Sequence, residues 1–415
     1  MTALLQTERG RRLLFTALYI SEGAPIGYLW WALPPKLRLA GAPVTEITAL
    51  TAALVLPWTF KFLWAPLVDR FSGGRFGLRA WIAAAQLLMG ATLLSLLGLD
   101  LVRQLSIAAP LLMLHAFAAA TQDVAVDALA VQLVEPIERG RLQGYTQTGM
   151  LAGRAAFGGG ALLAEQWVGA DAVLVGLVLV TWSSLALVGL SLGSPEPVAQ
   201  RGAPRPQVLA TLRAVLFSPM SAIALGFALL SGAGFEAVGA LAGSLLVDRG
   251  VSQESVGSFF AGPTVLAMVA GALLGGRLSD SVERTRAVTA TLLASVVSVM
   301  GVAACALLEL GASTLMFSMT LCYLGIGLFV ASSYALFMDL SDRRFGATHF
   351  SAYMGATNAC EAWSGWAGGR LQASFGYGAA FAALAGVSLM ALPLLRALAS
   401  RLQAPAAIDV ATSRP

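Results

Sequence analysis

Charged side chains make up only 12% of the 415 residues, whereas a soluble domain carries about 25%. So small a supply cannot cover a water-facing surface, which excludes an ordinary soluble domain. Histidine occurs twice and cysteine three times. Cys305, Cys322 and Cys360 show no CxxC and no metal-ligand spacing, so they read as small apolar side chains in a core. No resident metal or cofactor is expected. The GxxxxGK(S/T) phosphate cradle is absent, and ATP is not expected as a direct energy source. With so few histidines and no metal cluster, hydrolysis lacks a carrier, and an enzyme is not expected. The formal net charge is only +4 and sits in short loops, so no nucleic-acid partner is expected.

Apolar sequence is what the chain has in abundance, at 57% of residues. Runs of about 20 apolar residues, enough to cross a bilayer as a helix, recur from end to end. Twelve spans are read, at 13–34, 45–68, 79–98, 106–134, 142–164, 172–192, 218–247, 255–278, 287–308, 313–338, 347–370 and 377–399. The expected fold class is an all-α polytopic membrane protein. MTALLQTERGRR leads into the first span without a small-residue cleavage site, so a retained N-terminus is expected. With that end inside, nineteen basic residues fall on the side of the termini and five (Lys36, Arg38, Arg103, Arg249, Arg370) on the other. This bias predicts both termini in the cytoplasm.

Gly193 to Arg213 is the only long polar stretch inside the chain, and its proline and charge mark a linker. It divides the chain into a six-helix bundle at 1–192, a cytoplasmic linker at 193–217 and a second six-helix bundle at 218–415. An internal repeat follows the same division. PLVDRFSGGRFGLR answers GGRLSDSVERTR, with Asp69 and Asp280 as counterparts; ISEGAPIG answers GFEAVGA, with Glu22 opposite Glu236; QTGMLAGRAAFGGG answers YMGATNACEAWSGWAGG, with Arg154 opposite Glu361. Two like halves around an axis along the membrane normal describe the major facilitator architecture, with solute bound near the midplane between them.

The residues also carry a closer resemblance. D-R-x-x-G-G-R after the second span resembles the major facilitator loop signature, with Ala65 where a leading glycine is usual and Ser281 replacing the base in the second copy. KFLWAPLVDR, TQDVAVDA and ERG resemble the AmpG-like permease group, and the likeness covers nearly the whole chain. That group holds muropeptide permeases, acetyl-coenzyme A transporters and siderophore permeases of the RhtX/FptX kind. It implies a proton-driven secondary transporter of the bacterial inner membrane. Muropeptide permeases of the group are typically longer than this chain, so the resemblance is taken to the siderophore permeases, with ferric pyochelin as the expected solute and iron present only as part of it. The alternative is an anhydromuropeptide. A non-transporting membrane sensor is the remote alternative, and would be expected to carry a soluble signalling domain.

Asp123 and Asp127 lie four residues apart on one face of the fourth span. A carboxylate at bilayer depth costs roughly 2.5–3.5 kcal/mol even on mild scales, so such groups face a bundle interior or a watery cavity. They mark either a proton or substrate site, or a pairing with a buried base that holds helices together. Proton coupling is assigned to Asp123, Asp127 and Glu22, because movement of a basic partner switches a buried carboxyl between its two forms. Arg154, Glu236 and Glu361 are assigned to substrate, with Tyr28, Trp30, Trp58, Phe235 and Trp363 as aromatic lining for a flat ligand; core packing is the plain alternative for the aromatics. Lys61 and Arg154 read equally as structural ion-pair partners. Asp69 with Arg70, and Asp280 with Arg284, are assigned to a cytoplasmic gate. Trp31 and Trp64 read as interfacial anchors. Asn358 is the only asparagine, which favours a small, apolar solute over a disaccharide-peptide. The expected partners are that small molecule and the lipid bilayer, with the chain acting as a monomer.

Overall fold

The computed structural model describes residues 7–70, 77–101, 103–133, 139–191, 213, 218–340 and 346–403. Of the linker expected at 193–217, only residue 213 lies among them. The side chains of Asp69, Arg70 and His349 also lie outside what is described, so that half of the expected gate has no placement.

Among the described residues the helices form twelve spans in two pseudo-symmetric bundles of six. Span 1 combines Glu8–Gly27, a π-helical turn Tyr28–Ala32 and Leu33–Leu39. Span 2 is Val44–Phe60, a 3₁₀ turn Lys61–Leu63 and Ala65–Arg70. Gly77–Leu94, Leu105–Leu133 and Ala170–Ser191 are spans 3, 4 and 6. Span 5 breaks at Gly158 into Arg139–Phe157 and Gly159–Val168. In the second half, span 7 is Pro219–Ser231 with Ala233–Asp248, and span 8 is Gln253–Ala261 with Pro263–Ser281. Spans 9 and 10 are Arg284–Leu307 and Ala312–Leu340. Gly346–Leu389 holds span 11 and the start of span 12 around a break at Gly376, and Ala391–Gln403 completes span 12.

The chain turns from its fifth to its sixth span, and from its eleventh to its twelfth, through one conformation. Gly169 has φ 82° and ψ 164°, and Gly376 has φ 82° and ψ 169°. Positive φ is open to glycine and strained for residues with a Cβ, so the repeat is visible in the backbone as well as in the sequence.

Among the described residues, nine helical stretches are long and apolar enough to cross a membrane by length and composition. The ninth, Phe350–Leu402, contains spans 11 and 12 together; spans 1 and 5 are the two not included. These two carry charged first turns and the intramembrane groups Glu22 and Arg154, and they pack on each other. A Cβ at Gly23 would collide with the Met150 carbonyl oxygen, and one at Gly153 would lie 2.5 Å from that of Ile20. Gly23 with Gly27 and Gly149 with Gly153 thus form two G-x-x-x-G faces that bring backbones together, the arrangement that replaces hydrophobic drive inside lipid. The second half uses the same device between spans 8 and 10, where Gly271 and Gly275 lie against the Leu324 and Leu328 carbonyls.

Between the halves, spans 5 and 8 meet where Gly159 abuts Ala261 and Gly257, spans 2 and 11 where Gly369 abuts Thr48, and spans 1 and 7 where Gly243 abuts Pro35. Trp31 stacks on Phe260 across this seam at 5.7 Å and is 6% exposed. It is therefore an interlock between halves and not the interfacial anchor its type suggested. These contacts gather at the end of the molecule remote from the chain termini, called here the far end. At the other end, a separate buried cluster around Leu14, Phe15, Val68, Leu78 and Leu129 belongs to the first half alone.

Candidate functional site

Helix interruptions position the polar groups. Pro57 lies within the helix of span 2, which ends at Phe60 and passes into the Lys61–Leu63 turn. An interior proline removes a backbone donor and disturbs the helix around it. At that turn, Lys61 forms a buried ion pair with Asp123 and lies 3.9 Å from Asp127. Tyr19 of span 1 donates a 2.9 Å hydrogen bond to Asp127 Oδ1. Glu22, one turn further along span 1, is 2% exposed, and its Oε2 has no hydrogen-bond partner. Lys61, Asp123 and Asp127 all act electrostatically on it, and the Trp58 side chain lies near it. The Asp127 side chain is 52% exposed, against 12% for Asp123. The three expected proton-coupling residues therefore form one cluster around Lys61, within the first half.

A second cluster is shared between the halves. Arg154 of span 5 acts on both Glu236 of span 7 and Glu361 of span 11. Trp30 lies near Glu361, and Tyr334 of span 10 lies in the field of all three groups. Arg154 Nε is buried without a partner, so the guanidinium is not saturated by the protein. Gly27 makes this placement possible, because a Cβ there would collide with the Arg154 carbonyl oxygen.

The aromatic lining divides. Trp30 and Trp58 meet edge to face at 6.2 Å and 83°. Tyr28 does not join them: residues two apart on a helix point to nearly opposite sides, and its ring lies 5.7 Å from Lys36, which pairs with Glu165 at 2.7 Å. Phe235 is buried against Phe329 at 5.9 Å, inside the second half. Trp363 donates to the Leu229 carbonyl at 3.0 Å, just before the break in span 7. Asp280 and Arg284 meet at 3.5 Å, and Arg284 also pairs with Asp339 at 2.7 Å. These three gate-end groups all belong to the second half.

Sequence reasoning missed the charged clasp at the far end. Arg38 of span 1 grips Asp248 of span 7 with two hydrogen bonds, Nε to Oδ1 at 2.6 Å and Nη2 to Oδ2 at 3.0 Å. Tyr377 at the start of span 12 donates to the same carboxylate at 2.6 Å. Their only signal in the sequence is charge at span ends, which reads as topology. A bidentate guanidinium–carboxylate pair is directional and stronger than a point contact, and this one joins the two halves. Asp248→Asn is expected to raise labelling of a Thr48→Cys variant by a membrane-impermeant maleimide from the far side at least threefold. Thr48 lies in the closed seam, and the three native cysteines are buried. Equal labelling with and without the substitution would show that the clasp does not hold the seam.

Comparison with known proteins gives the arrangement its family. The sequence profile described as Major Facilitator Superfamily matches residues 15–369. The chain belongs to this superfamily. Within it, the chain is similar to the anhydromuropeptide permease of Escherichia coli K12, at 29% identity over 254 residues, 55% of this chain and 48% of that protein. An AmpG-named transporter of Rickettsia typhi is 27% identical over 120 residues, 28% of each chain. The match to the first thus spans about half the length of that relative, and together the two support placement in the AmpG-like group. Among solved structures, a D-xylose-proton symporter superposes with TM-score 0.71 at 12% identity, covering 92% of this chain and 96% of the other. The nucleoside transporter NupG superposes with TM-score 0.65 at 14% identity, covering 95% and 100%. The superfamily member described here is thus a multi-pass membrane protein with a transporter fold.

Proposed function

We propose that this chain imports a solute of the anhydromuropeptide class across the bacterial inner membrane by proton-coupled alternating access, with both termini cytoplasmic. The carrying observation is the site where Arg154 of one half acts electrostatically on Glu236 and Glu361 of the other. A place with charges of both signs, split between two bodies, suits a solute that bears both ammonium and carboxylate groups. Its occupancy changes how the halves attract each other, which is what transport requires. The resemblance to anhydromuropeptide permeases supports the same class. The siderophore expectation, which rested on chain length and on the single asparagine Asn358, draws no such support from these relatives.

The Lys61–Asp123–Asp127 cluster supports proton coupling through a comparison between the halves. Spans 8 and 10, the counterparts of spans 2 and 4, join through Gly271 and Gly275, with no buried ion pair at that seam among the described residues; the exposed Asp280–Arg284–Asp339 group lies at its end. The fold can therefore close this seam with glycine. A buried ion pair is weak evidence for stability, because desolvation offsets its Coulomb gain. Its presence in the first half suits a working part, with Glu22 as the nearby carboxyl that completes it.

Uptake of labelled anhydromuropeptide and labelled ferric siderophore, side by side in cells lacking their own permeases, tests the reading. Accumulation of the first alone, abolished by a protonophore, is expected. Accumulation of the siderophore alone would reverse the assignment, and accumulation of neither under an imposed proton gradient in vesicles would support the sensor.

A further inference from the structure

We propose that Tyr28, Lys36 and Glu165 form a second binding site, at the far end of the first half, for an uncharged hydroxyl or amide group of the solute. The inference deepens the transport reading above and rests on it for the direction of entry. Lys36 of span 1 pairs with Glu165 of span 5 at 2.7 Å. Its ammonium stands 5.7 Å from the centre of the Tyr28 ring, within reach of a cation–π contact. An ammonium has three donors, and the pairing with Glu165 Oε1 uses one. Tyr28 is 1% exposed and its hydroxyl has no hydrogen-bond partner; Glu165 Oε2 is likewise buried and unpartnered. Buried polar atoms are nearly always satisfied, so two orphans around one ammonium call for a group that fills them. The second half does without such a cluster. Counting from Glu22 and Glu236, Lys36 corresponds to Gly250. The neighbouring Arg249 donates to the Ala306 and Leu310 carbonyls at 2.7 and 3.2 Å, capping the end of span 9.

The free atoms select the ligand. Lys36 and Tyr28 offer protons, and Glu165 Oε2 offers lone pairs. A hydroxyl or a secondary amide answers both, since it accepts at oxygen and donates through O–H or N–H. A carboxylate is repelled by Glu165, and an ammonium by Lys36. Position sets when the site is filled. Pro35, beside Lys36, packs on Gly243, and Leu162, one turn before Glu165, packs on Gly257, both across the seam between the halves. With that seam closed, the Lys36 and Glu165 side chains are 13% and 18% exposed. Parting of the halves at this end uncovers them. A solute arriving from the far side then meets this site for neutral groups before the charged site at Arg154, which lies deeper along span 5.

Lys36 and Lys61 are the only lysines in the chain, and Lys61 is buried toward the opposite end. A membrane-impermeant amine-acylating reagent, applied from the far side to vesicles holding the full chain, therefore reads Lys36, and mass spectrometry of its peptide gives the rate. Glucose supplies hydroxyls alone, N-acetylalanine amide supplies amides alone, and acetate supplies a charge. At least one of the two neutral probes is expected to slow labelling threefold or more, and acetate is not. Tyr28→Phe, which removes a single oxygen, is expected to abolish the protection. Glu165→Gln is expected to let acetate protect, because the repelling charge is gone. Protection by neither neutral probe would mean that the site holds water alone, and overturns the inference. Equal protection by acetate in the unaltered chain, protection that survives Tyr28→Phe, or no labelling from the far side also overturns it. In uptake of labelled anhydromuropeptide, Tyr28→Phe is expected to raise KM at least threefold and to lower the maximal rate by less; a fall in maximal rate alone marks a structural role and overturns the site. A chain that takes up no anhydromuropeptide defeats the transport reading, whereas protection of Lys36 by a neutral probe stands without it.

Discussion

Lys61→Met is expected to abolish accumulation against a gradient and to destabilise the folded protein by about 3–5 kcal/mol, the cost of leaving one partner of a buried ion pair uncompensated. Lys61 is 7% exposed and Asp123 8%, so water cannot replace the lost ammonium. The double variant Lys61→Met/Asp123→Asn removes the charge together with its partner. It should recover most of the stability, since exchanging both members of such a pair for uncharged groups is often neutral or better, yet it should remain unable to accumulate solute. SDS-unfolding midpoints and vesicle uptake measure the two quantities separately. A double variant that regains gradient-driven uptake would reduce the cluster to a structural tie between spans 2 and 4.

Gly153→Leu is expected to yield no folded transporter. A Cβ at that position would lie 2.5 Å from the Ile20 carbonyl oxygen and 2.7 Å from the Ala24 nitrogen. Overpacking costs about 1–3 kcal/mol where side chains give way; here the obstacle is backbone, and the expected cost exceeds that range. Separation of spans 1 and 5 would also carry Arg154 away from Gly27, against which its backbone packs. Gly239→Ala is the control, because a Cβ there meets nothing within 4 Å. Size-exclusion profiles of the two variants should differ completely. A monodisperse, transport-active Gly153→Leu protein would show that the glycine faces do not set the distance between these helices.

The spans and their division into halves were legible because apolar length is a one-dimensional signal and the bilayer fixes its scale. Asp123 and Asp127 were legible as a pair because four residues make one helical turn. Their partner was not, since Lys61 sits on another span and reaches them through a turn that departs from the helix just past Pro57. Tyr19 was within reach, three residues before Glu22 and on the same face. Trp31 shows the opposite case: a tryptophan near a span end fits either a lipid boundary or a seam between halves, and only its neighbour Phe260 decides. Tyr28 and Trp30 were grouped by proximity in the chain, although helical geometry alone sends them apart. Solute choice was least legible, because the length of a chain is silent on the charges that line its cleft.

The seam at the far end has a consequence for speed. Gly159, Gly243 and Gly369 present bare backbone to their neighbours, so apart from the Trp31–Phe260 stack much of the contact is between smooth surfaces. Smooth faces part without a concerted repacking of rotamers, and the barrier to opening falls mainly on rewetting and on the clasp at Asp248. Evolution of turnover in such a protein can then proceed by retouching a few peripheral charges, leaving the interior untouched.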